Sequence, residues 1–358
     1  MSKIFFTPGP AQLYPTVESH VFNALKENIG SISHRGKQFQ VIYQEADQNI
    51  RALLGVPQDF KIFFTGSATE IWERILQNTV ENHSTHFVNG SFSKKFYEFS
   101  TELGNTATKF EVPFGTGFDI NAYEIPSETE LICVTHNETS SGVMMPANDI
   151  HTLRAKNPNA IIAVDAVSSV PYPQFDFTAI DSVFFSVQKG MGLPAGLGVW
   201  LVNDRCIEKA NTLKAKGKSI GTYHSLPSLL SNGSKFETPS TPNVLGIYLL
   251  AKVTGDMLHK GVDTIRKETD LKASKLYAFA EKSALLDIFV QNPAHRSPTV
   301  LVANTSGEAA DLIAKLKTKG IVLGAGYGNY KDKQVRFANF PAVSVEQVDW
   351  LMEELSKV

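Results

Sequence analysis

The sequence predicts an α/β protein, with a mostly parallel sheet covered on both faces and a smaller α+β unit at the C-terminal end. Two observations predict it. Up to Val202, short apolar runs of strand length alternate with longer amphipathic stretches. Beyond Val202 the texture changes to long helical periodicity broken by short strands.

Taken in order, the apolar runs are Lys61–Thr65, His86–Asn89, Leu131–Thr135, Ala160–Asp165, Ser182–Val187 and Leu197–Val202. Each has the length of a buried strand. Helical patterns at Thr69–Val80, Lys94–Leu103 and Asn148–Lys156 lie between them. Parallel neighbours need such crossovers, and a sheet covered by helices on both faces reads as continuous apolar strands. From Pro242 to Lys282 the pattern is helical, with two helices meeting near Lys260–Gly261. Strands are expected at Ile288–Gln291, Thr299–Ala303 and Val335–Ala338, and helices at Gly307–Lys319 and Ser344–Lys357. The expected division is an N-terminal segment, 1–14, packing near the active site, a large domain, 15–245, and a small α+β domain, 246–358.

Composition narrows the function. Of the 358 residues 42% are hydrophobic and 20% charged, the balance of a globular chain. The net charge of −2 gives no general attraction for nucleic acid or for an anionic membrane. Met1–Pro10 lacks the basic and apolar regions of a secretory signal, and no run of about 18 apolar residues appears. A cytoplasmic protein is expected, with Cys133 and Cys206 as reduced thiols. His83 and His86 have no further ligand nearby in sequence and read as surface histidines, so no metal is expected.

Ligands of open parallel sheets collect beyond the carboxyl ends of the strands. After the first run stands Thr65-Gly66-Ser67-Ala68-Thr69-Glu70. Small residues at a helix start leave N–H groups open to an anion, so this is either a phosphate cradle or an ordinary N-cap. Asp165 ends one run, where it either meets a cation or caps a turn. Lys189 follows Gln188 beyond another; it is either a desolvated nucleophile for carbonyl groups or a lysine snorkelling to solvent. Jointly the three match the needs of pyridoxal 5'-phosphate. The cradle would hold its phosphate, the carboxylate would keep its ring nitrogen protonated, and the lysine would form the Schiff base and move the proton. Gly190-Met191-Gly192-Leu193-Pro194-Ala195 fits a dinucleotide fingerprint, but no helix follows it.

Several segments then carry a family likeness. They are Phe6-Thr7-Pro8-Gly9-Pro10-Ala11, Ser33-His34-Arg35-Gly36-Lys37, Gly66-Ser67-Ala68-Thr69, Asn137-Glu138-Thr139, Val164-Asp165-Ala166-Val167-Ser168-Ser169, Gln188-Lys189 and Thr238-Pro239-Ser240-Thr241-Pro242-Asn243. In this order and spacing the chain resembles the class V branch of fold-type I pyridoxal phosphate aminotransferases, and within it the phosphoserine aminotransferases. The resemblance implies a seven-stranded sheet in the large domain and a homodimer with active sites at the subunit interface. It also implies a reaction between 3-phosphohydroxypyruvate and L-glutamate. It gives Lys189 the Schiff base and Asp165 the pyridine nitrogen. It gives Ser67, Ala68 and Gln188, with Thr69 beside them, the cofactor phosphate. Thr139 would stand near the phenolic oxygen, and Thr238 would reach the phosphate from the neighbouring subunit. His34 and Arg35 would face the substrate's distal acidic group, and Arg336 its α-carboxylate.

The chain departs from that pattern at three places. Phe92 stands where the family stacks a Trp on the ring, and Glu237 stands where Asn is common. Asn329 and Tyr330, with Lys331 and Lys333 near, replace a His-Arg pair that often holds the substrate phosphate. From the residues alone, His34 also reads as a structural histidine and Arg35 as a surface ion-pair former. Arg336, in a strand-like run, would accept a structural Glu as readily as a substrate. Gly192–Gly198 also has the look of the alanine–glyoxylate and serine–pyruvate enzymes. A catalytically inactive binding protein on the same fold is the alternative from another class.

Overall fold

The structure, a computed structural model, describes residues 3–358. Seven strands form the larger sheet, in the spatial order Lys61–Thr65, Gly198–Val202, Ser182–Ser186, Ile161–Asp165, Leu131–Thr135, His83–Val88 and Thr106–Glu111. Gly198–Val202 alone runs antiparallel to its neighbours. The central strands are buried along their whole length, as a sheet covered on both faces requires. Thr106–Glu111 is partly exposed at one edge and mostly polar, so no apolar run marks it in the sequence.

Helices cover both faces. On one, Ile71, Trp72, Ile75 and Leu76 of the helix Ala68–Thr79 pack with Cys206, Ala210 and Leu213 of the helix Asp204–Ala215. On the other, the helices Lys37–Leu54 and Val244–Lys260 pack together against the sheet. The core of the larger unit therefore takes in Val244–Lys260, although its sequence texture groups it with the following helix, Val262–Lys282.

The smaller sheet has the order Ile4–Phe6, Ile321–Ala325, Gln334–Ala338, Val300–Thr305, Leu286–Ile288. Its first strand comes from the N-terminus and pairs in parallel with Ile321–Ala325. The chain then crosses to the larger sheet, where the Ala11 N–H donates to the Gln188 carbonyl at 2.9 Å and the Tyr14 N–H to the Gly192 carbonyl at 2.7 Å. This crossing lays Pro8–Pro10 over the carboxyl ends of the parallel strands. Among the described residues, no helix is long and apolar enough to cross a membrane.

Two expectations are corrected. The strand expected at Ile288–Gln291 lies at Leu286–Ile288. His83 and His86 are not surface histidines: both are buried in the strand His83–Val88. The strand extends into the polar stretch His83-Ser84-Thr85 because each of these residues finds a hydroxyl partner. His86 shares a hydrogen bond with Ser84 Oγ at 2.9 Å, and burial pushes its pKa down to about 3. Cys133 and Cys206 are buried free thiols, driven upward in pKa by the same desolvation.

At the edge opposite the carboxyl ends, the buried Asp181 carboxylate ties the sheet to its helices. It accepts from Arg154, from Arg205 at 3.0 Å, from the Ile162 N–H at 2.8 Å and from the Asn203 amide at 2.8 Å. Removing it leaves the largely buried Arg154 without its counter-ion. The variant Asp181→Ala is expected to lose about 3–5 kcal/mol in urea unfolding, with the activity per folded molecule unchanged.

Candidate active site

A cavity of about 220 Å³ opens beyond the carboxyl ends of the strands. Its floor is set by two residues that the strand ends deliver. Asp165 is the last residue of Ile161–Asp165 and is buried. Its Oδ2 accepts the Trp72 Nε1–H at 2.8 Å and its Oδ1 accepts the Val167 N–H at 3.0 Å. Burial raises its pKa to about 6, against the pull of those two donors and of Lys189.

Lys189 follows the strand Ser182–Ser186 and is buried, not snorkelling. Its Nζ donates to Ser168 Oγ at 2.8 Å and to Thr139 Oγ1 at 3.0 Å. The two hydroxyls also touch each other. Burial lowers the amine to about 8, while Asp165 and Glu138 work in the other direction. Two glycines permit this placement. A Cβ on Gly190 would collide with the Val170 carbonyl, and one on Gly9 would lie 2.9 Å from the Lys189 side chain.

The helix Ala68–Thr79 begins at the cavity, and Ala68 and Thr69 line it. Ser67 does not; its Oγ caps the helix by accepting the Glu70 N–H at 3.1 Å. Gln188 lines the cavity with its buried Oε1 unpartnered, and the Asn137 Oδ1 is in the same state. The Gln188 amide can turn its NH₂ toward an anionic ligand group that also meets the helix start at Ala68 and Thr69, whereas the Asn137 NH₂ is already committed to Thr299 Oγ1 and the Ser168 carbonyl. The residues present therefore fit pyridoxal phosphate: a carboxylate for a ring nitrogen, an amine for an aldehyde and open donors for a phosphate.

Phe92 lies above the amine, its ring centroid 5.1 Å from Lys189 Nζ. It is held there by Glu138, which the sequence reading left without a role. The buried Glu138 carboxylate accepts from the Phe92 N–H at 3.1 Å, the Ser93 N–H at 2.8 Å and the Ser140 N–H at 3.0 Å. It thereby clamps the start of the helix Ser91–Glu102 beside Thr139. Also missed were Trp72, Ser168 and Tyr327. Trp72 carried a usable signal, since it lies one turn along the helix that starts at the cradle.

Arg336 lines the cavity from the strand Gln334–Ala338. Its Nε donates to the Ala325 carbonyl at 2.7 Å and its guanidinium lies 5.5 Å from the Tyr327 ring centroid. Among the described residues no carboxylate lies within 4.0 Å of it, so the structural Glu left open by the sequence is not there. The other expected site residues lie elsewhere in the single chain. Thr238 is buried beside a second cavity with Glu70 and His224, its hydroxyl donating to the Ser240 carbonyl. His34 is half-buried and Arg35 exposed, with Arg35 at 3.8 Å from Glu237. Glu237 also accepts from Gln40. Asn329, Lys331 and Lys333 are exposed, and Tyr330 is stacked on Phe114.

A buried amine near its titration point, a fixed carboxylate and a guanidinium free for an anion make an enzyme that works on amines and carbonyls. The comparisons agree. The model of the family Aminotransferase class-V matches residues 4–330, and the chain belongs to the class-V aminotransferases. This family is pyridoxal phosphate-dependent in general. A solved phosphoserine aminotransferase from Cytophaga hutchinsonii is 54% identical, covers 99% of this chain and 98% of its own, and superposes with a TM-score of 0.98. A phosphoserine aminotransferase of Rhodococcus opacus is 28% identical over 98% of this chain and 95% of its own length. An aspartate aminotransferase from Thermus thermophilus, 21% identical over 99% of both chains with a TM-score of 0.86, shares the fold.

The depressed amine gives a pH test. Only the neutral amine attacks an aldehyde, so labelling of cofactor-free protein by pyridoxal phosphate and borohydride should rise with pH. Its midpoint should fall near the value of about 8 given by burial, and not near the ordinary lysine value of 10.5. Mass-spectrometric peptide mapping would check both the midpoint and the site.

Proposed function

We propose that the chain transfers the amino group of L-glutamate to 3-phosphohydroxypyruvate, giving O-phospho-L-serine and 2-oxoglutarate, with pyridoxal 5'-phosphate as cofactor. The observation that carries the chemistry is the convergence of Lys189, Asp165 and Arg336 on one cavity. The phosphorylated substrate is supported by the 54% identical relative, whose own name is phosphoserine aminotransferase. A cytoplasmic enzyme is proposed, acting on small amino and oxo acids.

When bound, the cofactor supplies an electron sink for the carbanion left when the substrate loses its Cα proton. Asp165 would hold the proton on the ring nitrogen, its two oxygens fixed by Trp72 and Val167 so that its charge faces one way. Asp165, whose pKa burial raises, would be returned toward its charged form by a cation held against it. Phe92 would pack on the ring, Ala68, Thr69 and Gln188 would hold the phosphate, and Thr139 would stand by the phenolic oxygen. Lys189 Nζ, as a free amine, would accept the proton from the substrate's Cα and hold it until it is returned to carbon. Ser168 and Thr139, which accept from that nitrogen at 2.8 and 3.0 Å, would keep it within reach. Arg336 would grip the α-carboxylate with two parallel donors.

We place Thr238, His34 and Arg35 at the site through a second copy of the chain, in a homodimer. Support comes from their positions: Arg35 lies against Glu237, the chain neighbour of Thr238, and none of His34, Arg35 and Thr238 lines the cavity of their own chain. Two dead variants, Lys189→Ala and Thr238→Asp, mixed under refolding or co-expressed, should then recover activity through hybrid sites. Recovery failing in co-purified hybrids would refute the shared site.

The main test is a substrate panel with holo-enzyme. Turnover of O-phosphoserine with 2-oxoglutarate is expected to exceed that of serine and alanine. The variant Lys189→Ala should lose about 10⁴-fold in kcat, the scale of a missing proton-transfer group. Turnover retained by that variant would sink the mechanism.

A further inference from the structure

The helix Ser91–Glu102 presents two side chains to the mouth of the cavity. Phe92 lines it, and Lys95, three residues on, shares that helix face. Lys95 is exposed, and its Nζ donates to the Tyr327 hydroxyl at 3.3 Å. It lies 6.0 Å from the Phe92 ring centroid and 5.9 Å from that of Tyr327. The two rings are neighbours, 5.2 Å apart. The Arg336 guanidinium lies against the same Tyr327 ring. Tyr327 therefore carries two cations, one inside the cavity and one at its lip.

Neither cation meets a carboxylate among the described residues. The adjacent Lys94, by contrast, pairs with Glu98, and Lys109 pairs with Glu111. Two unneutralised cations against one ring repel each other, and an anion reaching from one to the other relieves that repulsion. A substrate with a carboxylate at one end and a second acidic group at the other has this shape. In the segment after Tyr327, Asn329 is exposed and uncharged, Tyr330 is turned onto Phe114, and the exposed Lys331 and Lys333 do not lie over the Tyr327 ring as Lys95 does.

We propose that Lys95, with the Tyr327 hydroxyl, binds the distal phosphate of the substrate while Arg336 holds its α-carboxylate. This rests on the phosphoserine reading and adds to it a cation from the same chain's helix. Lys95 is a specificity residue: it touches the group that distinguishes the substrate and does not touch the reacting atoms.

The test uses holo-enzyme with the variants Lys95→Met, which keeps the stem and removes the charge, and Lys95→Arg, which restores it. KM and kcat are measured with glutamate as donor, for 3-phosphohydroxypyruvate and for hydroxypyruvate. O-phosphoserine binding is followed by the change in cofactor absorbance. The methionine variant should raise KM for the phosphorylated acid, and weaken O-phosphoserine binding, about tenfold or more, as for a lost charge-assisted hydrogen bond. Its kcat and its KM for hydroxypyruvate should stay within about twofold, and the arginine variant should recover most of the loss. Increasing salt should erode the wild-type preference more than that of the methionine variant. A preference for phosphate that survives intact in Lys95→Met overturns this assignment alone. Equal rises in KM for both substrates overturn it too, since they report a disturbed helix. A wild-type enzyme that uses serine as readily as O-phosphoserine overturns both this assignment and the reading beneath it.

Discussion

Desolvation of one carboxylate and one amine at the same sheet edge is the constraint on which the site depends. Burial pushes Asp165 up to about 6 and Lys189 down to about 8, each toward its neutral form. Near neutral pH both groups then stand close to their change of charge. An exposed lysine would be locked as an ammonium, and an exposed aspartate would be satisfied by water. Here water is replaced by fixed partners: an indole N–H and a backbone N–H on the acid, two hydroxyls on the amine. Such partners are aimed in advance, so little rearrangement is needed when a ligand arrives.

The rest of the fold holds that edge still. The N-terminal strand joins the smaller sheet, and the chain that follows it is hydrogen-bonded to Gln188 and Gly192 on either side of Lys189. Glu138 locks the helix that carries Phe92 to the segment that carries Thr139. At the far edge, Asp181 fixes the amino ends of the strands that deliver Asp165 and Lys189. Strain introduced at the N-terminal crossing or at Glu138 acts directly on the groups around Lys189, whereas Asp181, at the far edge, acts on stability.

Much of this was legible in the sequence, because buried parallel strands are written as continuous apolar runs. Lys61–Thr65 and Leu131–Thr135 end where their runs end, and Asp165 and Lys189 stand just beyond or at the close of theirs. Elements written in other ways were harder to read. Thr106–Glu111 is a polar edge strand, and the helix Lys37–Leu54 shows itself only as the spacing Phe39, Ile42, Tyr43, Ala46, Ile50, Leu53. A reading anchored on strand runs passes over both. His83 looks exposed until its hydroxyl partners Thr108 and Thr129, distant in sequence, are known. The second layer of the site was only partly legible: helix spacing sets Trp72 one turn beyond the cradle but does not name its partner. Trp72 and Asp165 are 93 residues apart, and no local pattern joins them.

The charges around the cavity explain why a nearly neutral chain can choose a strongly anionic substrate. Nearby carboxylates are already engaged: Glu138 by the start of a helix, Glu70 by His224 and the Gly66 N–H, and Glu237 by Arg35 and Gln40. Asp165 faces the floor, where a ring cation would meet it. Arg336 and Lys95 are left without acidic partners among the described residues, both against Tyr327. The net charge of −2 therefore says little about the field at the mouth, which is set by which charges are free. That field favours a ligand with negative charge at both ends, and it does so without the His-Arg pair that Asn329 and Tyr330 replace.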